Sequence, residues 1–116
     1  MEKPAGSHLN TNMFEILLSL SGGDLHGYAI MKEIQERSGG EVKLGPTSLY
    51  RSLKKLLVLG YIQEIDGEAE SEGDERRRIY HLLDRGREAA ARRAESLSRS
   101  IEVARRRRLI PGGGAS

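Results

Sequence analysis

The chain contains no cysteine and no tryptophan, and its aromatic residues are limited to Phe14 and four tyrosines. Without thiols there is no disulfide framework, no thiolate metal site and no cysteine nucleophile. With so few rings, any core must be built mainly from Leu, Ile, Val and Ala. No apolar run approaches the ~20 residues that a membrane-crossing helix needs, and the N-terminus lacks the apolar centre of a signal peptide. No membrane partner is expected, and a cytoplasmic location is. His8, His26 and His81 are scattered, with no pair at metal-ligand spacing. No glycine-rich loop follows a strand and opens a helix, which removes the phosphate-cradling motifs. The densest carboxylates lie in a polar stretch, not in the apolar setting that tunes a catalytic acid. Neither an enzyme nor a bound metal or cofactor is expected.

What is present is 116 residues, enough for one small domain and too few for two good cores. Lys and Arg number 19 against 17 Asp and Glu, a net charge of +2. That near-balance hides strong segregation, and local charge says more about partners than the total does.

The stretch GPTSLYRSLKKLLVLGYI, Gly45 to Ile62, organises the rest. Leu49, Leu53, Leu56 and Leu57 recur at i, i+4, i+7 and i+8, the spacing of one helical face. Gly45 suits the N-cap, Pro46 the first helical position and Gly60 the left-handed stop. On the opposite face stand Thr47, Arg51, Lys54, Lys55 and Val58, with Ser48 beside them. Hydroxyls and cations on a rod that fits a major groove make a candidate nucleic-acid surface; the alternative is an ordinary amphipathic helix with a solvated basic face.

Around it, Met1 to His8 are polar and expected to be mobile, as part of a flexible N-terminus over residues 1–9. Met13, Phe14, Ile16, Leu17, Leu18 and Leu20 are dense enough for a short helix buried on more than one side, capped by Asn10 or Asn12. Leu25 to Ser38 reads as a second helix, with Leu25, Tyr28, Ala29, Met31 and either Ile30 or Ile34 inward, stopped at Ser38-Gly39-Gly40. Two short helices, a tight connection and a third helix with a basic outer face form a helix-turn-helix. Tyr61 to Ile65 and Arg76 to Leu83 have strand character. They flank the acidic segment Asp66 to Glu75, and together make a wing.

Asp84 is a possible cap for a last helix. There Ala90, Ala94, Leu97, Ile101 and Ala104 follow a 4-3-4-3 heptad spacing. Glu88, Glu95 and Glu102 each precede an arginine by four residues, the favourable orientation for exposed pairs. A chain of this size has little with which to cover the seam, so a second copy is the expected partner, with Phe14, Leu17 and Leu18 of the first helix joining the contact. The fold class expected is mainly α (α+β): a winged helix-turn-helix over residues 10–83, a dimerisation helix over 84–110 and a flexible tail over 111–116.

LHGYAIMKEI, the Gly45–Ile62 stretch and RRRIYHLLDRGREAA together resemble the PadR family of bacterial transcriptional regulators, over about Met13 to Ala91. The resemblance rests on His26-Gly27-Tyr28, Ser48-Leu49-Tyr50 and an arginine-rich strand ending in Tyr80, in family order and spacing. It implies a homodimer that binds a palindromic operator in double-stranded DNA. Many such proteins repress efflux or detoxification genes and release DNA when a small-molecule effector binds. Gly45 stands where the family usually has serine, and Leu83-Asp84 replaces a more typical threonine.

The DNA-binding residues expected are Tyr28, Thr47, Ser48, Tyr50, Arg51, Lys54, Lys55, Arg76, Arg77 and Arg78. Arg51 is the candidate for a bidentate guanine contact, Lys54 and Lys55 for phosphates. Tyr28 either donates to a phosphate or packs the helix pair. Carboxylates in the wing would repel phosphates, so its tip is expected to stand away from the duplex, with the three arginines at its root making phosphate or minor-groove contacts. An effector site, if there is one, is expected between the dimer helices and the first helix, walled by Phe14, Leu17, Leu18, Leu97 and Ile101. The rival reading is a winged-helix module that binds protein, or DNA without sequence preference.

Overall fold

A computed structural model describes residues 9–65 and 78–111. Four helices and a three-stranded sheet appear in the order α1 (Thr11–Leu20), β1 (Leu25–His26), α2 (Gly27–Arg37), α3 (Pro46–Leu59), β2 (Ile62–Ile65), β3 (Ile79–Leu82) and α4 (Asp84–Arg106). The class is mainly helical with a small antiparallel sheet, as the periodicities predict. The expected flexible N-terminus and tail fall almost wholly outside the described residues, as do the acidic segment Asp66 to Glu75 and Arg76 and Arg77.

α1 starts where Asn10 accepts a hydrogen bond from the Met13 amide at 2.9 Å, the side-chain cap that leaves fewer helix amides unpaired. Met13, Ile16, Leu17 and Leu20 are buried along it. They meet Ile30 and Ile34 of α2 and Leu49, Leu53 and Leu56 of α3 in one core. Each such side chain removed from water contributes roughly 1.5–3 kcal/mol before the entropy of ordering is charged against it. Leu17 has no exposed surface. It therefore holds the protomer's own core and is not available to a second copy, contrary to expectation; Phe14 is also buried, and Leu18 is exposed.

Arg37 ties α1 to α2. It donates to Glu33 at 2.8 Å, to the Ser19 hydroxyl at 3.0 Å and to the Glu15 carboxylate at 2.7 Å. Glycines at positive φ, Gly39 and Gly40, then turn the chain. Buried Leu44 and half-buried Val42 anchor the connection to α3.

The segment Leu25–Ser38 is not one helix. Leu25 and His26 pair with Tyr80 and Ile79 of β3, so the sheet has the order β1-β3-β2 and α2 begins at Gly27. A strand of two residues has no period to read, and its partner lies over fifty residues away in sequence. The inward residues of α2 are both Ile30 and Ile34, whereas Tyr28 is 61% exposed. In the β2–β3 pair Ile62 faces Leu82 and Gln63 faces His81; the first pair is buried and the second exposed. His81 Nδ1 lies 2.7 Å from Asp24 Oδ1 on that outer face.

α4 leaves the sheet without the expected Asp84 cap. Leu83 is the N-cap, with no side-chain hydrogen bond, and Asp84 is the first helical residue, where its charge still complements the helix dipole. The Leu83 amide donates to the Tyr61 carbonyl at 3.0 Å. Buried Gly86 brings the first turn so close that a Cβ there would overlap the Tyr61 carbonyl oxygen and stand 2.9 Å from Leu82 Cδ1. The helix ends at Arg106, short of the expected residue 110. The Leu109 amide reaches back to the Ala104 carbonyl and Arg108 takes a left-handed φ of 60°. The i,i+4 ion pairs are not seen among the described residues of α4. Glu102 pairs instead with Arg105, three residues on, at 3.3 Å.

Candidate nucleic-acid interface

α3 separates its faces cleanly. Leu49, Leu53 and Leu56 have no exposed surface and Ser52 is buried with them. Thr47, Ser48, Arg51, Lys54 and Lys55 are all exposed on the far side. Gly45 and Pro46 occupy the N-cap and first helical position, and Gly60 closes the helix in the left-handed conformation. The core thus grips one side of the helix and presents the hydroxyls and cations outward.

Tyr50 is half-buried between the faces. Its hydroxyl packs on Gly27, where an added Cβ would come within 2.9 Å of it. A side chain at the glycine of the His26-Gly27-Tyr28 triplet would have to displace the end of the Tyr50 ring, so the start of α2 and α3 lie close together here. The triplet alone does not disclose that contact.

The wing root meets α3 along a groove of about 380 Å³ lined by Tyr50, Lys54, Leu57, Glu64, Arg78 and Tyr80. Arg78 donates to Glu64 there at 3.2 Å. The pair is partly exposed and contributes little to stability, and both of its side chains line the same groove as Lys54. Glu64 is not among the expected site residues. It stands opposite Tyr80 in the β2–β3 register, and that register is the signal that places it on the α3 side of the sheet. Tyr28 does not join this group: it lines a separate groove on α2 with Met31, Lys32 and Leu44. Arg76 and Arg77 lie outside the described residues. Among the described residues no cluster of three or more His, Cys, Asp or Glu side chains could hold a metal ion. None of the described helices is long and apolar enough to cross a membrane.

Known proteins share this arrangement. The model of the transcriptional regulator PadR-like family matches residues 16–92. A transcriptional regulator from Clostridium thermocellum superposes with a TM-score of 0.68 at 26% identity, over 82% of this chain and 87% of that one. Bacillus subtilis PadR in complex with operator DNA superposes with a TM-score of 0.62 at 26% identity, over 71% of this chain and 45% of that one. In sequence, an uncharacterised 37.1-kDa protein in transposon TN4556 of Streptomyces fradiae is 38% identical over 84 residues, 72% of this chain, which spans only 22% of that relative. With the family model matching two thirds of its length and the same winged helix in its structural neighbours, the chain belongs to the PadR-like family of transcriptional regulators, not to the enzymes.

Proposed function

We propose that this regulator acts in the cytoplasm as a homodimeric repressor on a palindromic operator, with α3 in the major groove of each half-site. The observation that carries the reading is the segregation on α3: three fully buried leucines on one side, and Thr47, Ser48, Arg51, Lys54 and Lys55 in solvent on the other. In this reading Arg51 reads a guanine edge, where its fork can donate two bonds. Lys54, Lys55, Tyr50 and Tyr28 bind phosphates, and Arg78, with Arg76 and Arg77, follows the backbone from the wing root. The operator-bound PadR of Bacillus subtilis supports the assignment by analogy.

The second copy is argued from α4. Leu97 and Ile101 are 39% and 44% exposed and Leu18 on α1 is 38% exposed, an apolar patch on two helices that pack together. Ala90, Ala94 and Ala104 continue the seam along α4. Two-fold pairing would set the two α3 helices one turn of DNA apart, about 34 Å. An effector held near Leu18, Leu97 and Ile101 would relieve repression by altering that separation.

Selection of bound fragments from a random duplex library tests the proposal. A dyad-symmetric consensus with half-sites spaced by one turn is the expected result. Recovery of no consensus, with affinity that depends on salt alone, would leave a non-specific DNA-binding protein, and no retention of DNA at low salt would leave a protein-interaction module.

A further inference from the structure

The outer face of α3 holds more than a DNA-reading surface needs. Val58, on its last turn, is 81% exposed. It forms, with Met13, Leu59 and Asn10, the walls of a groove of about 590 Å³ between α3 and the start of α1, which Arg51, Lys54 and Lys55 complete. Recognition helices of this type contact base edges mainly with their N-terminal residues. An apolar wall on the fourth turn has no counterpart in a sugar-phosphate backbone. The lining instead joins two chemistries: aliphatic surface from Val58 and Leu59 over buried Met13, and the three cations.

We infer that this groove binds a small amphipathic anion, a carboxylate on an aliphatic body, and that such a ligand competes directly with DNA. The carboxylate would take charge-assisted hydrogen bonds from Arg51 and the two lysines, and the apolar body would cover Val58 and Leu59, against buried Met13. An uncharged chain matches only the floor and a phosphate only the rim. Because the same cations serve both ligands, occupancy would exclude the duplex without moving the two protomers. The competition rests on the DNA-binding reading; the groove and its ligand class do not.

The test uses decanoate, with 1-decanol and inorganic phosphate as controls, on the full chain. Methyl spectra should show saturable shifts at Met13, Val58 and Leu59 with decanoate and neither control. Val58→Ser should weaken decanoate by about fivefold, from the lost apolar contact, while binding a labelled duplex as the parent does. Lys55→Gln should weaken both. Decanoate should also displace the duplex from the parent protein, and do so about fivefold less effectively from the Val58→Ser variant. Shifts confined to Leu97 and Ile101, equal binding of 1-decanol, or a Val58→Ser chain that binds decanoate normally would each overturn the inference. So would a change of oligomeric state in Val58→Ser, which would make the groove a contact between copies. If no duplex binds at low salt, the DNA reading fails while the methyl shifts still judge the groove.

Discussion

α3 and α4 both carry a continuous apolar stripe, yet the protomer closes only one of them. The buried leucines of α3 lie in one core with α1, α2 and the sheet, and what faces water is polar or charged apart from Pro46 and Val58. The stripe of α4 is covered at Gly86 and Ala89, where the helix lies on the Tyr61–Leu82 corner, and then opens at Leu97 and Ile101. The first helix is complete in itself and shows its chemistry outward. The second is anchored at one end and unfinished at the other. The core of this protein thus lies within the winged helix, and the distal half of α4 leaves Leu97 and Ile101 outside it.

The sharpest way to break the contrast is at the anchor. Gly86→Val forces a side chain into the Tyr61 carbonyl and Leu82, and should cost about 3 kcal/mol, read as a lowered urea midpoint. Ala91→Val, at an exposed position of the same helix, should cost only about 0.5 kcal/mol, the Ala-to-Val difference in helix propensity. Equal effects would mean that α4 is held by its own helicity and not by this corner.

At the open end the expected effect moves from folding to association. Leu97→Glu with Ile101→Glu should weaken self-association by about a hundredfold in sedimentation while leaving the urea midpoint of the monomer almost unchanged. A dimer that survives both charges would place the interface elsewhere.

On α3 the corresponding change removes chemistry and not packing. Arg51→Ala should weaken a selected operator by roughly tenfold or more, and a random duplex much less at the same salt. Equal losses on both would reduce Arg51 to a phosphate contact. Its side chain is exposed and no core contact is lost, so the melting temperature should stay within about 1 °C of the parent.

The same contrast explains what can be read from the sequence. The leucines of α3, the cap at Asn10, the Gly45-Pro46 start, the Gly60 stop and the polar outer face come from local periodicity and backbone preference, which a single chain displays. The β1–β3 pairing, the inward turn of Glu64 and the closeness of Gly27 to Tyr50 do not, because each depends on a partner far away in sequence. The pattern misplaces Leu17 for a related reason. α1 is apolar nearly all round, so its spacing cannot say which side faces the chain's own core and which faces outward. The pattern also puts the end of α4 too late, because Arg105 to Arg108 are good helix formers, and only the hydrogen bond from Leu109 to Ala104 shows where the turn tightens.

That ending supplies the smallest and most discriminating comparison. α3 and α4 terminate in the same way: the Tyr61 amide reaches the Leu56 carbonyl and the Leu109 amide reaches the Ala104 carbonyl, with Gly60 and Arg108 at φ of 76° and 60° in the left-handed position. Only the first uses the residue that adopts this conformation without strain, and an L side chain there costs about 1 kcal/mol or more. Where the strain goes depends on the residues next in the chain. Gly60 is succeeded by buried Tyr61 and Ile62, so Gly60→Ala cannot relax without lifting the sheet from the core, and should lower the urea midpoint by the equivalent of about 1 kcal/mol. Arg108 is succeeded by exposed Leu109, and strain there is released by fraying. Arg108→Gly should slow amide exchange at Leu109 severalfold yet barely move the midpoint of an isolated protomer. If it raises the midpoint of the dimer as well, the last turn of α4 is held by the second copy, and the unfinished end of this helix extends to its terminus.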